Sequence, residues 1–239
     1  VEKTYGQLTV SKRIIELQSA NDTKEYDGFP LSNTNYEIIS GSLVPGEIIT
    51  VNNLTEITKV SKVENQFTVT INDSLGKSVT KNYEIRYVNG TLEVTKRIIK
   101  VRTNTDFKIY DGTKLECLEF ELVTPEKLLY GHNLELIMSS SITNVGIINN
   151  DYDEFIITDI EGNDFTNCYE LDVEYGTLTI IARQLTIITG SDSKYYDGTP
   201  LTCHEYIIAE ATPLPDGHTI QIDFAGEITE PGEETNSIA

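Results

Sequence analysis

Three short segments of this sequence carry two aspartates, a lysine, a tyrosine and a glycine in the same order. They are Asp22, Lys24, Tyr26, Asp27, Gly28; then Asp106, Lys108, Tyr110, Asp111, Gly112; then Asp192, Lys194, Tyr196, Asp197, Gly198. Paired carboxylates are hard oxygen donors, and calcium is the cation such a set would take. The spacing is not that of an EF-hand loop, and a lysine stands between the members of every pair. An ammonium that neutralises an aspartate fits this order better than a bound metal. Asp-Gly is a strong turn signal, because glycine accepts positive φ and aspartate can bond its own backbone. The motif is therefore assigned a structural role: tyrosine on the core, Asp-Gly in the turn, lysine paired with aspartate.

Other chemistry is sparse. His132 and His218 follow glycines at equivalent places and are expected to be exposed loop residues, while Cys203 and His204 are adjacent, a poor geometry for one metal. No nucleophile, base and orienting acid can be assembled within one repeat, so no catalytic residue, cofactor site or metal site is assigned. Cys117 and Cys168 form the one paired feature. The first repeat has Asn33 and Asn82 at the two matching positions, so the cysteines are present together or absent together. This predicts a Cys117–Cys168 disulfide, closing a loop of about 50 residues at about 4 kcal/mol in the chain-entropy account. A disulfide would also imply an oxidising compartment.

The motifs recur at offsets of 84 and 86 residues, and a unit of that length copied at fixed spacing denotes an array of similar domains. Each repeat opens on an alternating stretch (Arg13–Leu17, Arg97–Val101, Arg183–Ile188) that reads as a strand. Short strands follow at Tyr36–Ile39, Phe120–Val123 and Tyr206–Ile208, then after a glycine at Ile48–Val51, Leu134–Ile137 and Thr219–Ile222. Eleven residues beyond each of those glycines stands an Ile-Thr pair, at Ile57, Ile142 and Ile228. The first two repeats continue with Phe67–Ile71 and Phe155–Ile157, Tyr83–Tyr87 and Tyr169–Val173, and close on Gly90–Val94 and Gly176–Ile180. Roughly seven short strands with frequent turns and no helical periodicity predict an all-β fold of tandem β-sandwich-like (Ig-like) modules in an elongated rod. The alternative, a β-grasp-like module, needs a helix.

The repeat divides the chain into residues 1–10, 11–95, 96–181 and 182–239. Tyr5–Val10 matches Tyr175–Ile180, so the first segment reads as the last strand of a preceding repeat. The third repeat stops before its last three strands, which predicts flanking repeats in a parent chain and an edge that a neighbouring chain could pair with. A strand exchange between copies would supply one of those strands.

Lys+Arg 18 against Asp+Glu 38 gives a net charge of −20, which repels phosphate backbones and anionic bilayers. Nucleic acid and direct membrane insertion are therefore not expected. A Lys–Asn isopeptide crosslink is suggested by Lys12 and Lys96 with Asn82 and Asn167, but the third repeat has Ala182 in place of the lysine.

The motifs resemble the YDG/MBG-type tandem modules of bacterial extracellular proteins. The resemblance rests on Lys194-Tyr-Tyr-Asp-Gly-Thr-Pro-Leu-Thr202, Asp73-Ser-Leu-Gly-Lys-Ser-Val-Thr-Lys-Asn-Tyr-Glu-Ile85 and Gly90-Thr-Leu-Glu-Val-Thr-Lys-Arg97, with Phe29 and Lys114 as departures. It implies a cell-surface or secreted adhesin-like protein, no catalytic residues, and neighbouring repeats of the same chain as partners. Two roles follow as expectations: a stalk that projects another domain, or a multivalent module for host glycan or mucin.

Overall fold

The structure, a computed structural model, describes residues 1–52 and 54–239 and is all-β. The first repeat contributes β1 (Arg13–Ser19), β2 (Asp22–Glu25), β3 (Tyr36–Ser40), β4 (Ile48–Asn52), β5 (Ser61–Asn65), β6 (Thr68–Asn72), β7 (Tyr83–Val88) and β8 (Gly90–Thr95). The second contributes β9 (Arg97–Thr103), β10 (Asp106–Ile109), β11 (Phe120–Leu122), β12 (Asn133–Met138), β13 (Gly146–Asn149), β14 (Tyr152–Thr158), β15 (Tyr169–Glu174) and β16 (Thr177–Ile181). The third has β17 (Ile187–Thr189) and β18 (Tyr206–Ile208). Helical turns are limited to 3₁₀ segments such as Thr166–Cys168, and no α-helix occurs among the described residues. Contacts divide the chain into two compact units: Val1–Val101, Leu122–Glu135 and Phe155–Asp172 in one, and Arg102–Glu121, Leu136–Glu154 and Val173–Ala239 in the other. This division cuts across the second repeat.

In the first unit the opening strands run parallel to the closing ones. β1 pairs with β7 from Arg13↔Tyr83 to Gln18↔Val88, and β2 pairs with β8 from Asp22↔Leu92 to Glu25↔Thr95. Both ladders share one sequence offset, so β1–β2 and β7–β8 are two long strands lying side by side, each bent once. The alternation of β1 explains its orientation: Ile15, Leu17 and Ser19 point inward and are buried, whereas Ile14 faces outward. Ile15 and Leu17 join Phe67, Val69, Ile71 and Tyr83 in one core. Full burial of each large aliphatic side chain there contributes about 2 kcal/mol.

The bend is fixed by hydrogen bonds. Ser19 Oγ donates to Asn65 O at 2.6 Å and accepts from the Gly90 N–H at 2.8 Å; Asn21 Oδ1 accepts from the Thr91 N–H at 2.8 Å. A Cβ on Gly90 would lie 2.5 Å from both Ser19 O and Ala20 O, so only glycine lets the strands approach this closely.

The second unit contains the same device. β10 pairs parallel with β16, β13 pairs antiparallel with it, and β16 is the central strand of the three. Leu178 and Ile180 of β16 are fully buried and meet Leu115, Tyr110, Cys117, Ile142 and Ile148. The sheets are thus mixed, where an immunoglobulin-type sandwich is antiparallel.

Three strand expectations fail in whole or in part. Residues 1–10 and Thr219–Ile222 form no strand, and of Arg183–Ile188 only Ile187 and Ile188 lie in one, β17. A ladder needs a partner for its N–H and C=O groups. Ile48–Val51, the counterpart of Thr219–Ile222, pairs with β6, whose equivalent in the third repeat lies outside the sequence.

Candidate functional site: the repeated turn and its joint

Lysine and aspartate meet in all three copies of the turn. Lys24 Nζ lies 2.7 Å from Asp27 Oδ1, Lys108 Nζ 2.8 Å from Asp111 Oδ1, and Lys194 Nζ 3.0 Å from Asp197 Oδ1. The ammonium also donates to loop oxygens: Phe29 O and Pro30 O in the first turn, Thr113 O and Lys114 O in the second, Thr199 Oγ1 and Pro200 O in the third. It occupies the place a bound cation would take among one carboxylate and several neutral oxygens. The other aspartate turns elsewhere: Asp22 accepts from the Thr23 N–H at 2.9 Å and from Asn33 Nδ2 at 3.0 Å. The two carboxylates that a calcium site would have to share therefore serve different bonds, in keeping with the structural role expected of the motif.

The second aspartate also shapes its loop. Asp27 accepts the Phe29 N–H, Asp111 the Thr113 N–H and Asp197 the Thr199 N–H, each at 2.9 Å, across glycines with φ of +82°, +80° and +80°. The Lys24 bond holds the Asp27 carboxyl below its usual range, and the Lys108 bond does the same to Asp111. Bonds from Thr199 and Lys194 lower Asp197 to about 2. The turn leucine that follows bridges to the recurrent isoleucine: Leu31↔Ile57, Leu115↔Ile142, Leu201↔Ile228.

The tyrosine of the turn has a role the sequence did not suggest. In the first unit Tyr26, at 2% exposure, packs in an aromatic cluster with His132, Phe165 and Tyr169. His132 and Phe165 have ring centroids 4.6 Å apart, and Tyr169 Oη lies 2.8 Å from His132 Nδ1. Lys59 Nζ stands 4.4 Å from the Phe165 centroid, a cation–π contact. Arg97 joins the two sides, contacting Glu25 at 3.2 Å and donating to Lys127 O at 2.5 Å. Burial pushes the Tyr26 hydroxyl up to about 12 and lowers His132, whose imidazole is partly stabilised as a cation by Asp159. His132 is therefore not an exposed loop residue, because it fills the face that Tyr26 presents. In the second unit Tyr110 meets His218 with centroids 5.5 Å apart, but there His218 is exposed, as expected. The turn tyrosine of one repeat thus packs on the post-glycine histidine of the next, twice. Tyr196, the third member, is 62% exposed.

The expected Cys117–Cys168 disulfide is not formed, and the three cysteines are free thiols. Each is held by its own packing: Cys117 against Leu115, Leu178 and Ile180, and Cys168, at 2% exposure, at the end of the Thr166–Cys168 turn beside Tyr169. Free cysteine packs as a small hydrophobe, and that is what these positions use.

Sequence reasoning missed a set of asparagines. Asn65 and Asn150 are fully buried, and Asn236 stands at the same repeat position. Asn65 Nδ2 donates to Ala20 O and Asn33 O, each at 3.0 Å; Asn150 Nδ2 donates to Asn104 O and Cys117 O; Asn236 Nδ2 donates to Gly190 O and Cys203 O. Each stitches the strand bend to the loop after the Tyr-Asp-Gly turn. Their signal was the repeat spacing itself, 85 and then 86 residues.

Among the described residues no group of three or more His, Cys, Asp or Glu converges as a metal site would. No family model matches the chain, and no curated protein matches it.

Proposed function

We propose that the chain is a load-bearing spacer of a bacterial cell-surface or secreted adhesin-like protein, its repeats holding another domain at a distance. The observation that carries this reading is the joint built twice from the same residues, Tyr26 on His132 and Tyr110 on His218. A joint that uses one repeat's turn and the next repeat's loop can be extended indefinitely by adding repeats. The linker adds to this: β8 ends at Thr95 and β9 begins at Arg97, leaving one residue, Lys96, between them. The parallel ladders suit tension. When the ends of a repeat are pulled apart, the opening and closing strands slide along each other, so their hydrogen bonds are loaded together and not one by one. The resemblance to YDG/MBG-type modules supports the extracellular setting, as does the acidic surface, which resists collapse of like modules.

Single-molecule pulling on the full chain tests this reading. Forced unfolding reports the unfolding barrier. The expected trace shows discrete force peaks, each releasing roughly 280 Å of chain for a repeat of this length. Extension without peaks would overturn the reading.

A further inference from the structure

The first two repeats present the same sheet face with opposite chemistry. In the first repeat β8 is the central strand: Thr23 and Lys62 flank Glu93 in one row, and Glu64 stands beside Thr91 in another. In the second repeat β16 is central: Phe107 and Ile147 flank Thr179, and Asn149 stands beside Thr177. A further row places Glu25 beside Thr95 in the first repeat and Ile109 beside Ile181 in the second. All of these lie on the outer face, because the residues that alternate with them, Leu92, Val94, Leu178 and Ile180, are buried. The first face carries four charges, Glu25, Lys62, Glu64 and Glu93, two of them joined as the Lys62–Glu93 ion pair at 2.8 Å. The second carries none, with Ile109, Ile147, Asn149 and Thr179 at those positions.

The face is open wherever a repeat stands in an array. In the first repeat, which a complete second repeat follows, Thr23, Lys62, Glu64 and Thr95 are exposed. In the second, which a complete first repeat precedes, Phe107 is 70%, Ile147 69%, Ile109 53% and Ile181 46% exposed. At about 200 Å² for a fully exposed side chain of this size, these four present roughly 450 Å² of apolar surface. That matches the largest patches on soluble monomers, which often bind a partner. Charge and area say which partner. The chain carries −20, so two copies repel over most of their surface. A site for a cationic partner would keep its carboxylates, yet this face has lost all three together with the lysine. A face without charge is complementary to itself, and there two copies meet with least repulsion. Two such faces bury roughly 900 Å² from the four large side chains, and the rim of threonines and asparagine brings the contact to about 1,200 Å², the lower end of specific interfaces.

We infer that the second repeat pairs with the second repeat of another copy of this chain, their β10–β16–β13 faces stacked about a two-fold axis. The contact is isologous, so assembly stops at the dimer. The small Thr177 and Thr179 leave the face lowest over β16. Phe107 of each copy seats over the Thr179 row of the other, and Ile109, Ile147 and Ile181 close around it. The stacked sheets stand about 10 Å apart with their strands nearly aligned.

Sedimentation equilibrium of the full 239-residue chain, from low to high micromolar concentration at about 0.15 M salt, tests the inference. The wild-type chain should pass from monomer to dimer and no further. Phe107→Thr and Ile147→Lys install the residues that the first repeat carries at the same positions. Each should weaken the dimer at least about tenfold, and the double variant should be monomeric. Both side chains face solvent in a single copy, so dilute variants should keep the wild-type unfolding midpoint. Thr23→Ser, on the charged face, should leave association unchanged. Hydroxyl-radical footprinting should show Phe107 losing reactivity as the dimer forms while Phe29, 71% exposed, keeps it. A wild-type chain that stays monomeric overturns the inference and leaves the face to a partner of another kind. A dimer that persists in the double variant, or that leaves Phe107 reactive, overturns it as well.

Discussion

Replacing Asn65 by alanine should be one of the most costly single changes in the first unit. The amide of Asn65 makes two hydrogen bonds of 3.0 Å from a fully buried position. Each such bond contributes about 1 kcal/mol net. Deleting the donor also strands Ala20 O and Asn33 O, at about 1 kcal/mol or more each where water cannot reach. One term opposes this. Asn65 Oδ1 is buried and accepts no hydrogen bond among the described residues, so alanine removes a desolvated polar atom worth about 1 kcal/mol. The sum is a loss of about 2–3 kcal/mol, a large fraction of the stability of a small domain. Asn150→Ala should behave alike. Asn236→Ala, at a partly exposed position beside an open groove, should cost well under half as much, because water replaces its amide. Urea unfolding with hydrogen exchange resolved by segment would measure all three. Equal losses at positions 65 and 236 would refute the argument that burial, and not the bonds alone, sets the cost.

Three further outcomes are expected. Gly90→Ala should destabilise the first unit by more than about 3 kcal/mol in urea, since its Cβ meets two immobile backbone oxygens; Gly6→Ala, with nothing within 4 Å, should leave the midpoint unchanged. Acid should weaken the fold in two steps. His132 has a lowered folded-state pKa, so the unfolded chain binds that proton more readily and stability falls as pH drops through about 6.5; His132→Gln should flatten this step. The turn aspartates are also depressed, so their contribution is full above about pH 4 and is lost toward pH 2, as Asp197 shows. Lastly, iodoacetamide should label Cys117 and Cys203 in the native chain and Cys168 only in urea; a non-reduced chain that takes up a single label in urea would show that Cys117 and Cys168 are bonded.

The all-β class was legible because β1, β6 and β8 alternate apolar and polar residues in plain view. The turns were legible because aspartate and glycine carry their conformational preference locally. β2 and β5 were not, because Asp22–Glu25 and Ser61–Asn65 are mostly polar and owe their strand form to the ladder beside them, and β10 was not, because Asp106–Ile109 is short and turns Phe107 and Ile109 outward. The parallel pairing was hidden for a related reason: it joins segments at opposite ends of a repeat, and nothing local encodes the partner. The Lys–Asp pair could be read from spacing within one turn. The joint of Tyr26 with His132 could not, since it links residues of two successive repeats. The cysteine pairing was inferred from joint occurrence, which packing in two separate places explains equally well.

The parallel ladder also dictates when a repeat can fold during synthesis. Arg13 pairs with Tyr83 and Asp106 with Leu178, separations of 83 − 13 = 70 and 178 − 106 = 72 residues. Contacts this distant in sequence make folding slow, because loop closure precedes the contacts that reward it. Until the closing strand has emerged, the opening strand has only its antiparallel partner, as β1 has β3. In a chain emerging from a narrow exit, antiparallel pairs such as β1–β3 and β4–β6 can form early, but the parallel ladder closes only as Gly90 or Gly176 clears the opening. The last strand of a repeat is thus the one that locks it, joining both ends of the repeat in one sheet.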